Sequence, residues 1–120
     1  MLRIYTRVSV FKPIVPLLVP LNMKGEFMRE RDIEKALTKE VKKRGGLALK
    51  FVSPGVAGVP DRLLLMKYGK IAFVELKAPR KEMKPLQILR KRQLESLGFL
   101  VYCIDSKEKI GGVLDEICTS

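Results

Sequence analysis

The sequence predicts an α/β domain, with a mixed central sheet flanked by helices and elements in the order α-β-β-β-α-β-α. Three observations support this prediction: a length of 120 residues, a composition that is 47% apolar and 31% charged, and alternating helix-like and strand-like apolar patterns after Met28. A chain of this length forms one ordinary domain. Its composition is typical of a packed globular protein, and strands interspersed with helices favour a sheet covered by helices.

The first 27 residues differ in composition from the remainder. Residues 14–21 form an apolar run that contains Pro16 and Pro20. A bilayer span needs about 20 apolar residues, so we expect no transmembrane helix. No basic amphipathic helix with an aromatic face is visible, so we expect no membrane role either. The prolines and the lack of a small-x-small cleavage site also argue against a signal peptide. We predict an N-terminal extension over residues 1–27, either mobile or due to a misassigned start, and a functional domain over residues 28–120.

The first predicted element of that domain is a helix over residues 29–44. Ile33, Leu37 and Val41 recur at helical spacing, and glycines at 45 and 46 end the pattern. Glu30 and Glu34 fall within or beside this apolar stripe. A carboxylate directed toward a core is costly without a cation or hydrogen bonds, so these two glutamates are candidates for a special role.

Strands and two further helices follow. Residues 47–52 predict a short strand, and residues 53–59 a flexible loop that ends at Pro60-Asp61. Residues 62–66 and 70–77 predict two strands with a hairpin-like connection at Tyr68-Gly69. Pro85 suits the first turn of a helix that ends at Gly98. Residues 99–104 then predict a strand, and residues 107–117 a final helix.

Charge and missing residue types restrict the function. Lysine and arginine number 24 against 13 acidic residues, giving a net charge of +11, which favours a polyanionic partner and nucleic acid first. The absence of histidine excludes His-based triads and His metal sites. The two cysteines, Cys103 and Cys118, are too few for a zinc site and fit a reducing cytoplasm, with Cys103 as a core residue. Carboxylates, lysines and a hard metal ion remain for catalysis.

Asp61, Glu75 and Lys77 form the candidate catalytic constellation. Strand alternation places Glu75 and Lys77 on one face, and a hairpin across Tyr68-Gly69 would bring Asp61 and Glu75 together at its open end. Two neighbouring carboxylates repel unless a divalent cation lies between them, and Mg²⁺ or Mn²⁺ suits such oxygen ligands. Lys77 could position an attacking water or neutralise developing phosphate charge. Each motif alone is common in turns and solvated strands, but together they indicate metal-dependent phosphodiester hydrolysis.

The same motifs resemble those of the VRR-NUC family, virus-type replication-repair nucleases within the P-D…[DE]-x-K superfamily. The resemblance covers about residues 28–105 and consists of Gly58-Val-Pro-Asp61, Val74-Glu-Leu-Lys77 and Pro85-Leu-Gln87 after a glutamate-bearing helix. It implies a restriction-endonuclease-like core. It also implies that Asp61, Glu75 and the Leu76 carbonyl bind the metal, and that Lys77 assists the water.

The resemblance further implies a helical site glutamate and a supporting glutamine. Glu34 is preferred for its spacing of eleven residues to Gly45, and Glu30, one turn earlier, is the rival. Gln87 matches the family glutamine that supports the site, although an exposed helix residue is the alternative. Members of the family occur frequently in phages and bacteria, so the resemblance also suggests that setting.

Basic residues around the second predicted helix are candidates for DNA contact, although a solvated helix face is equally consistent with the last three. They are Lys77, Arg80, Lys81, Lys84, Arg90, Lys91 and Arg92. Phosphate contacts of this kind do not read sequence, so we expect selectivity for DNA structure. Stand-alone members of the resembled family are dimers that cut branched DNA, which implies a homodimeric, Holliday-junction-resolvase-like endonuclease acting on four-way junctions.

Two alternatives stay open. One is a flap or single-strand nuclease, or a nuclease subunit directed by a larger partner. The other is a basic nucleic-acid-binding module without catalysis, against which the intact set of Asp61, Glu75 and Lys77 argues.

Overall fold

Three helices and four strands make up the fold of residues 20–120, the part of the chain that this computed structural model describes. The helices are α1 (Glu30–Lys43), α2 (Pro85–Ser96) and α3 (Glu108–Thr119), and the strands are β1 (Leu47–Lys50), β2 (Arg62–Met66), β3 (Lys70–Leu76) and β4 (Leu100–Ile104). This is the predicted order, and each element begins and ends within two residues of its predicted bounds.

The four strands form one sheet in the order β1-β2-β3-β4. The first three pair antiparallel, while β3 and β4 pair parallel. A short 3₁₀ turn over Lys67–Gly69 connects β2 to β3, with Tyr68 at φ 65° and Gly69 at φ 72°. The predicted hairpin is therefore confirmed. The parallel pair requires a crossover, and α2 lies within it.

The core lies on the face of the sheet that α1 and α3 cover. Strand alternation places Leu64, Ala72, Val74 and Tyr102 on this face, where they pack with the apolar stripes of both helices. From α1 the buried residues are Ile33, Leu37 and Val41, and from α3 they are Ile110, Val113, Leu114 and Ile117. Cys103 is buried and unpaired as expected, but it lies level with Glu75 on the opposite face of the sheet from this core.

The opposite face of the sheet, which we call the outer face, is only partly covered. Helix α2 packs beside β4 on this side. Phe73 lies between Phe51 and Phe99, with ring centroids 5.5 and 5.8 Å away in edge-to-face arrangements. Further from α2, Leu47 is 60% exposed and Ile71 is 42% exposed. The outer face therefore leaves apolar side chains of β1 and β3 in water.

Residues 20–27 form a short turn in front of α1. Leu21 and Phe27 make an isolated bridge, and the Nδ2 atom of Asn22 lies 3.5 Å from Oδ2 of Asp32. Met28, the predicted start of the domain, is buried in the core. Residues 1–19 of the predicted extension lie outside the described residues, and the boundary at Met28 stays a prediction. In the described part of the chain, no helix combines the length and hydrophobicity that a membrane crossing requires.

Candidate active site

The open end of the β2–β3 hairpin brings Asp61 and Glu75 together. Arg62 pairs with Val74 across the hairpin, so Asp61, the preceding residue, reaches the level of Glu75. Oδ1 of Asp61 accepts a hydrogen bond of 3.1 Å from the backbone N–H of Leu76. Glu75 follows Phe73 on the outer face and is only 4% exposed. The predicted convergence of the two carboxylates therefore has a structural basis in the strand register.

Both carboxyl groups are hard to ionise. Burial raises the pKa of Asp61 to about 6, and repulsion from Glu75 contributes to that rise. Burial also raises the pKa of Glu75, while the neighbouring Lys77 ammonium opposes that rise. Nζ of Lys77 lies 3.4 Å from Oε2 of Glu75. Two acidic groups whose charged forms are disfavoured at one place form an environment that a cation would stabilise.

Gln87 connects this site to α2. Its Nε2 donates a hydrogen bond of 2.8 Å to Oε2 of Glu75. Its Oε1 accepts one of 2.8 Å from the backbone N–H of Lys84, at the N-cap of α2. Gln87 is therefore held at both ends of its amide beside Glu75, and its role in supporting the site stays a prediction.

Gly58 lets the loop before Asp61 pack against the start of α2. It has φ +82°, and a Cβ atom there would lie 2.7 Å from Cγ of Leu86 and 3.0 Å from the Leu86 carbonyl oxygen. A residue with a side chain would be strained in this backbone region and would also collide with α2. The first residue of the Gly58-Val-Pro-Asp61 motif is thus explained by close packing.

The two glutamates of α1 have different surroundings. Glu34 forms an ion pair with the buried guanidinium of Arg62, whose Nη1 also donates 2.8 Å to the backbone carbonyl of Asp61. Glu30 is exposed, and its charge raises the pKa of both Asp61 and Glu75. The preferred Glu34 is therefore paired directly with Arg62, which also lies 3.7 Å from Oδ2 of Asp61. The charge of the rival Glu30 acts on the two carboxyl groups and on Arg62. Sequence reasoning missed Arg62, although a charged residue beginning an apolar strand was a visible signal.

The predicted DNA-contact residues divide into two groups. The first group is exposed and comprises Arg80, Lys81, Lys84 and Arg92. Arg90 donates a hydrogen bond of 2.8 Å to the carbonyl of Ala57. Lys91 differs, because it is 5% exposed and its Nζ donates a hydrogen bond of 2.7 Å to the carboxylate of Glu95. The buried side of α2 includes Lys91, so its predicted contact with DNA does not fit this arrangement.

The family of this chain is shown by its similarity to known proteins. No protein-family model matches the chain. A solved structure described as a VRR_NUC domain matches with a TM-score of 0.68 and 25% identity, over 73% of this chain and 96% of that one. "Putative nuclease p44" of Acyrthosiphon pisum secondary endosymbiont phage 1 is 51% identical over 81 residues, which are 68% of this chain and 87% of that protein. The chain belongs to the VRR-NUC family of nucleases.

The donor set of this VRR-NUC domain fits a hard divalent ion only in part. Within residues 20–120, no group of three or more acidic or cysteine side chains forms a complete metal cage. Asp61 and Glu75 supply two carboxylates at one place, and Mg²⁺ commonly takes one or two carboxylates and keeps several waters. Asp61 and Glu75 therefore fit such an ion as two of its ligands, with the remaining ligands supplied from outside this pair.

Proposed function

We propose that this VRR-NUC protein is a divalent-metal-dependent endonuclease that cuts branched DNA such as four-way junctions. The observation that supports it most directly is the convergence of Asp61 and Glu75 at the open end of the hairpin, with Lys77 3.4 Å from Glu75. Asp61, Glu75 and the Leu76 carbonyl would hold Mg²⁺ or Mn²⁺. When bound, such an ion supplies a more acidic water and offsets charge on the phosphate.

The remaining residues of the site would act through position and charge. Lys77 carries a positive charge beside Glu75, where it can orient a water or offset negative charge on a phosphate oxygen. Gln87 holds the Glu75 carboxylate through its 2.8 Å hydrogen bond. We assign the role of helical site glutamate to Glu30, since its charge acts on both carboxylates while Glu34 is paired with Arg62.

Selectivity for DNA structure is proposed from what surrounds the site. Arg80, Lys81, Lys84 and Arg92 provide exposed cations next to α2, and such residues bind phosphates without reading bases. The helices and strands of residues 20–120 all belong to one small sheet domain. We therefore propose that this part of the chain recognises DNA without a separate base-reading module.

A homodimer is proposed from the outer face of the sheet. Leu47, Leu49 and Ile71 are all at least 41% exposed there, and apolar side chains on neighbouring strands make a surface that a second copy can cover. Two active sites related by a two-fold axis suit a symmetric junction. The free thiols of Cys103 and Cys118 are compatible with a reducing cytoplasm, which we propose as the location.

A panel of labelled DNAs tests the proposal. Four-way junctions, flaps, single strands and linear duplex are incubated with Mg²⁺, Mn²⁺ or EDTA, and products are resolved on a denaturing gel. We expect cleavage of the junction with metal, none with EDTA, and none with Glu75→Ala, which should still bind DNA. Preferred cutting of flaps or single strands would support the alternative nuclease function. Binding without cleavage of any substrate would support a non-catalytic module.

A further inference from the structure

A basic groove, which we call the α1 groove, lies beside α1 with residues 22–24 and Lys107 on its other sides. Its volume is about 400 Å³. Among the described residues that line it, six are cationic and one, Asp32, is acidic. The cationic residues are Lys24, Arg29, Arg31, Lys35, Lys39 and Lys107.

The α1 groove is separate from the active site. Arg31, Lys35 and Lys39 succeed one another at one-turn spacing along α1. At 100° per residue their mean direction is roughly 120° around the helix from that of Glu30 and Glu34. None of the active-site residues contributes to the lining. A ligand in the α1 groove would therefore lie on a different side of α1 from a phosphate at Asp61 and Glu75.

Most of the positive charge in the α1 groove is uncompensated. Lys24, Arg31, Lys35, Lys39 and Lys107 are exposed and form no ion pair with any residue between 20 and 120. Asp32 already has partners. Its Oδ2 accepts a hydrogen bond of 2.9 Å from the backbone N–H of Arg29 and lies 3.7 Å from Nε of Arg29. Residues 1–19 contain no acidic side chain. Concentrated like charge favours a polyanion as occupant.

We propose that the α1 groove binds the sugar–phosphate backbone of a DNA segment other than the one held at the active site. The proposal rests on the proposed nuclease function for the class of polyanion. Lysine and arginine contacts to phosphates give affinity without sequence preference. Because the two contact surfaces lie on different sides of α1, a substrate that branches or bends would reach both more readily than a straight duplex.

Binding without cleavage tests this proposal. In EDTA, fluorescence anisotropy measures the affinity of a labelled four-way junction for the wild-type chain and for the triple variant Arg31→Ala, Lys35→Ala, Lys39→Ala. These are exposed helix positions where alanine is a good helix former, and thermal unfolding checks that the fold is retained. We expect affinity to fall at least about tenfold, and the slope of log K against log salt to decrease by about 2 to 3, since each phosphate contact contributes about 0.9.

A matched control removes the same charge outside the α1 groove. Lys42, Lys43 and Lys50 are exposed and do not line it, so their triple alanine variant should change the salt slope by less than half as much. Equal losses from both triple variants, or unchanged affinity in the first, would overturn the proposal. A groove variant that loses binding to anionic phospholipid vesicles but not to DNA would also overturn it. The assay contains EDTA and measures binding alone, so its result does not depend on whether the wild type cleaves DNA.

Discussion

Nε2 of Gln87 lies 2.8 Å from Oε2 of Glu75 and donates a hydrogen bond to it. The bond joins the first turn of α2 to the end of β3, and the backbone N–H of Lys84 holds the other end of the same amide. We therefore propose Gln87 as a positioning residue, since Glu75 is the group that would contact a metal ion. Ligands of a metal are commonly oriented in this way by hydrogen bonds behind them.

Replacing Gln87 with alanine should lower the rate of DNA cleavage, because Glu75 loses the hydrogen bond that orients its carboxylate. The loss of an orienting hydrogen bond of this kind typically costs about 10- to 100-fold in metal affinity or activity. Single-turnover cleavage measured across a range of Mg²⁺ concentrations should show a raised metal requirement. Gln93→Ala, an exposed glutamine on the same helix, is the control. Equal cleavage by Gln87→Ala and the wild type at limiting Mg²⁺ would contradict a positioning role.

Glu30 and Glu34 should respond differently to substitution by glutamine. Glu30→Gln removes a charge that acts on Asp61 and Glu75, so it should reduce cleavage with little effect on stability. Glu34→Gln removes one of the two carboxylates paired with the buried guanidinium of Arg62, leaving that of Asp61 at 3.7 Å, and should lower the free energy of unfolding by about 1 to 3 kcal/mol. Urea unfolding and junction cleavage, measured on both variants, separate the two roles. A stable but inactive Glu34→Gln would instead assign the helical site glutamate to Glu34.

The raised pKa of Asp61 makes stability depend on pH. In the folded chain this pKa is about 6, against an ordinary value of 3.8. Between these values the unfolded chain loses the proton while the folded chain keeps it, so the free energy of unfolding should fall as pH rises from about 4 to 6. After allowance for solvent screening at this partly exposed group, we expect about 1 kcal/mol. Urea unfolding without metal at several pH values should show a flatter profile for Asp61→Asn.

Divalent metal should reverse that loss of stability at neutral pH. An ion that binds the folded chain and not the unfolded one stabilises it in proportion to the logarithm of its concentration. The thermal midpoint of the wild type should therefore rise with added Mg²⁺ at pH 7 and return after EDTA. Asp61→Asn and Glu75→Gln should not respond. A rise of equal size in these variants would place the ion elsewhere.

Charge on the outer face should separate a dimer. Ile71 is 42% exposed on β3, and Ile71→Glu would place a carboxylate among apolar side chains, which is costly if a second copy covers them. Sedimentation analysis at micromolar concentration should show a dimer for the wild type and a monomer for Ile71→Glu. Leu97→Glu, at an exposed position after α2, should stay dimeric. A monomeric wild type would contradict the proposed assembly.

Local patterns predicted most of the fold. Ile33, Leu37 and Val41 are fully buried as their spacing indicates, because α1 lies flat on the sheet and exposes its other sides. The hairpin followed from two apolar runs separated by a Tyr-Gly turn. Once β2 and β3 pair, the positions of Asp61 and Glu75 depend only on strand geometry, so this part of the site was accessible from sequence.

Contacts between elements distant in sequence could not be predicted from local patterns. The partner of Glu34 is Arg62, 28 residues later, and that pairing depends on how α1 crosses the sheet. The side of α2 that packs was predicted least well, because Leu86 and Leu89 are exposed while Lys91 is buried. Because α2 covers only part of the outer face, its leucines do not mark the side that packs.

The tight packing of Gly58 on Leu86 has a consequence for recognising inactive forms of this enzyme. Gln87 is the next residue along, so we expect a side chain at position 58, which would overlap Leu86, to shift the start of α2 and weaken the hydrogen bond from Gln87 to Glu75. A chain could therefore retain every acidic group and lysine of the catalytic motifs and still be disabled by one added methyl group. Inspection of the charged residues alone would miss such a defect.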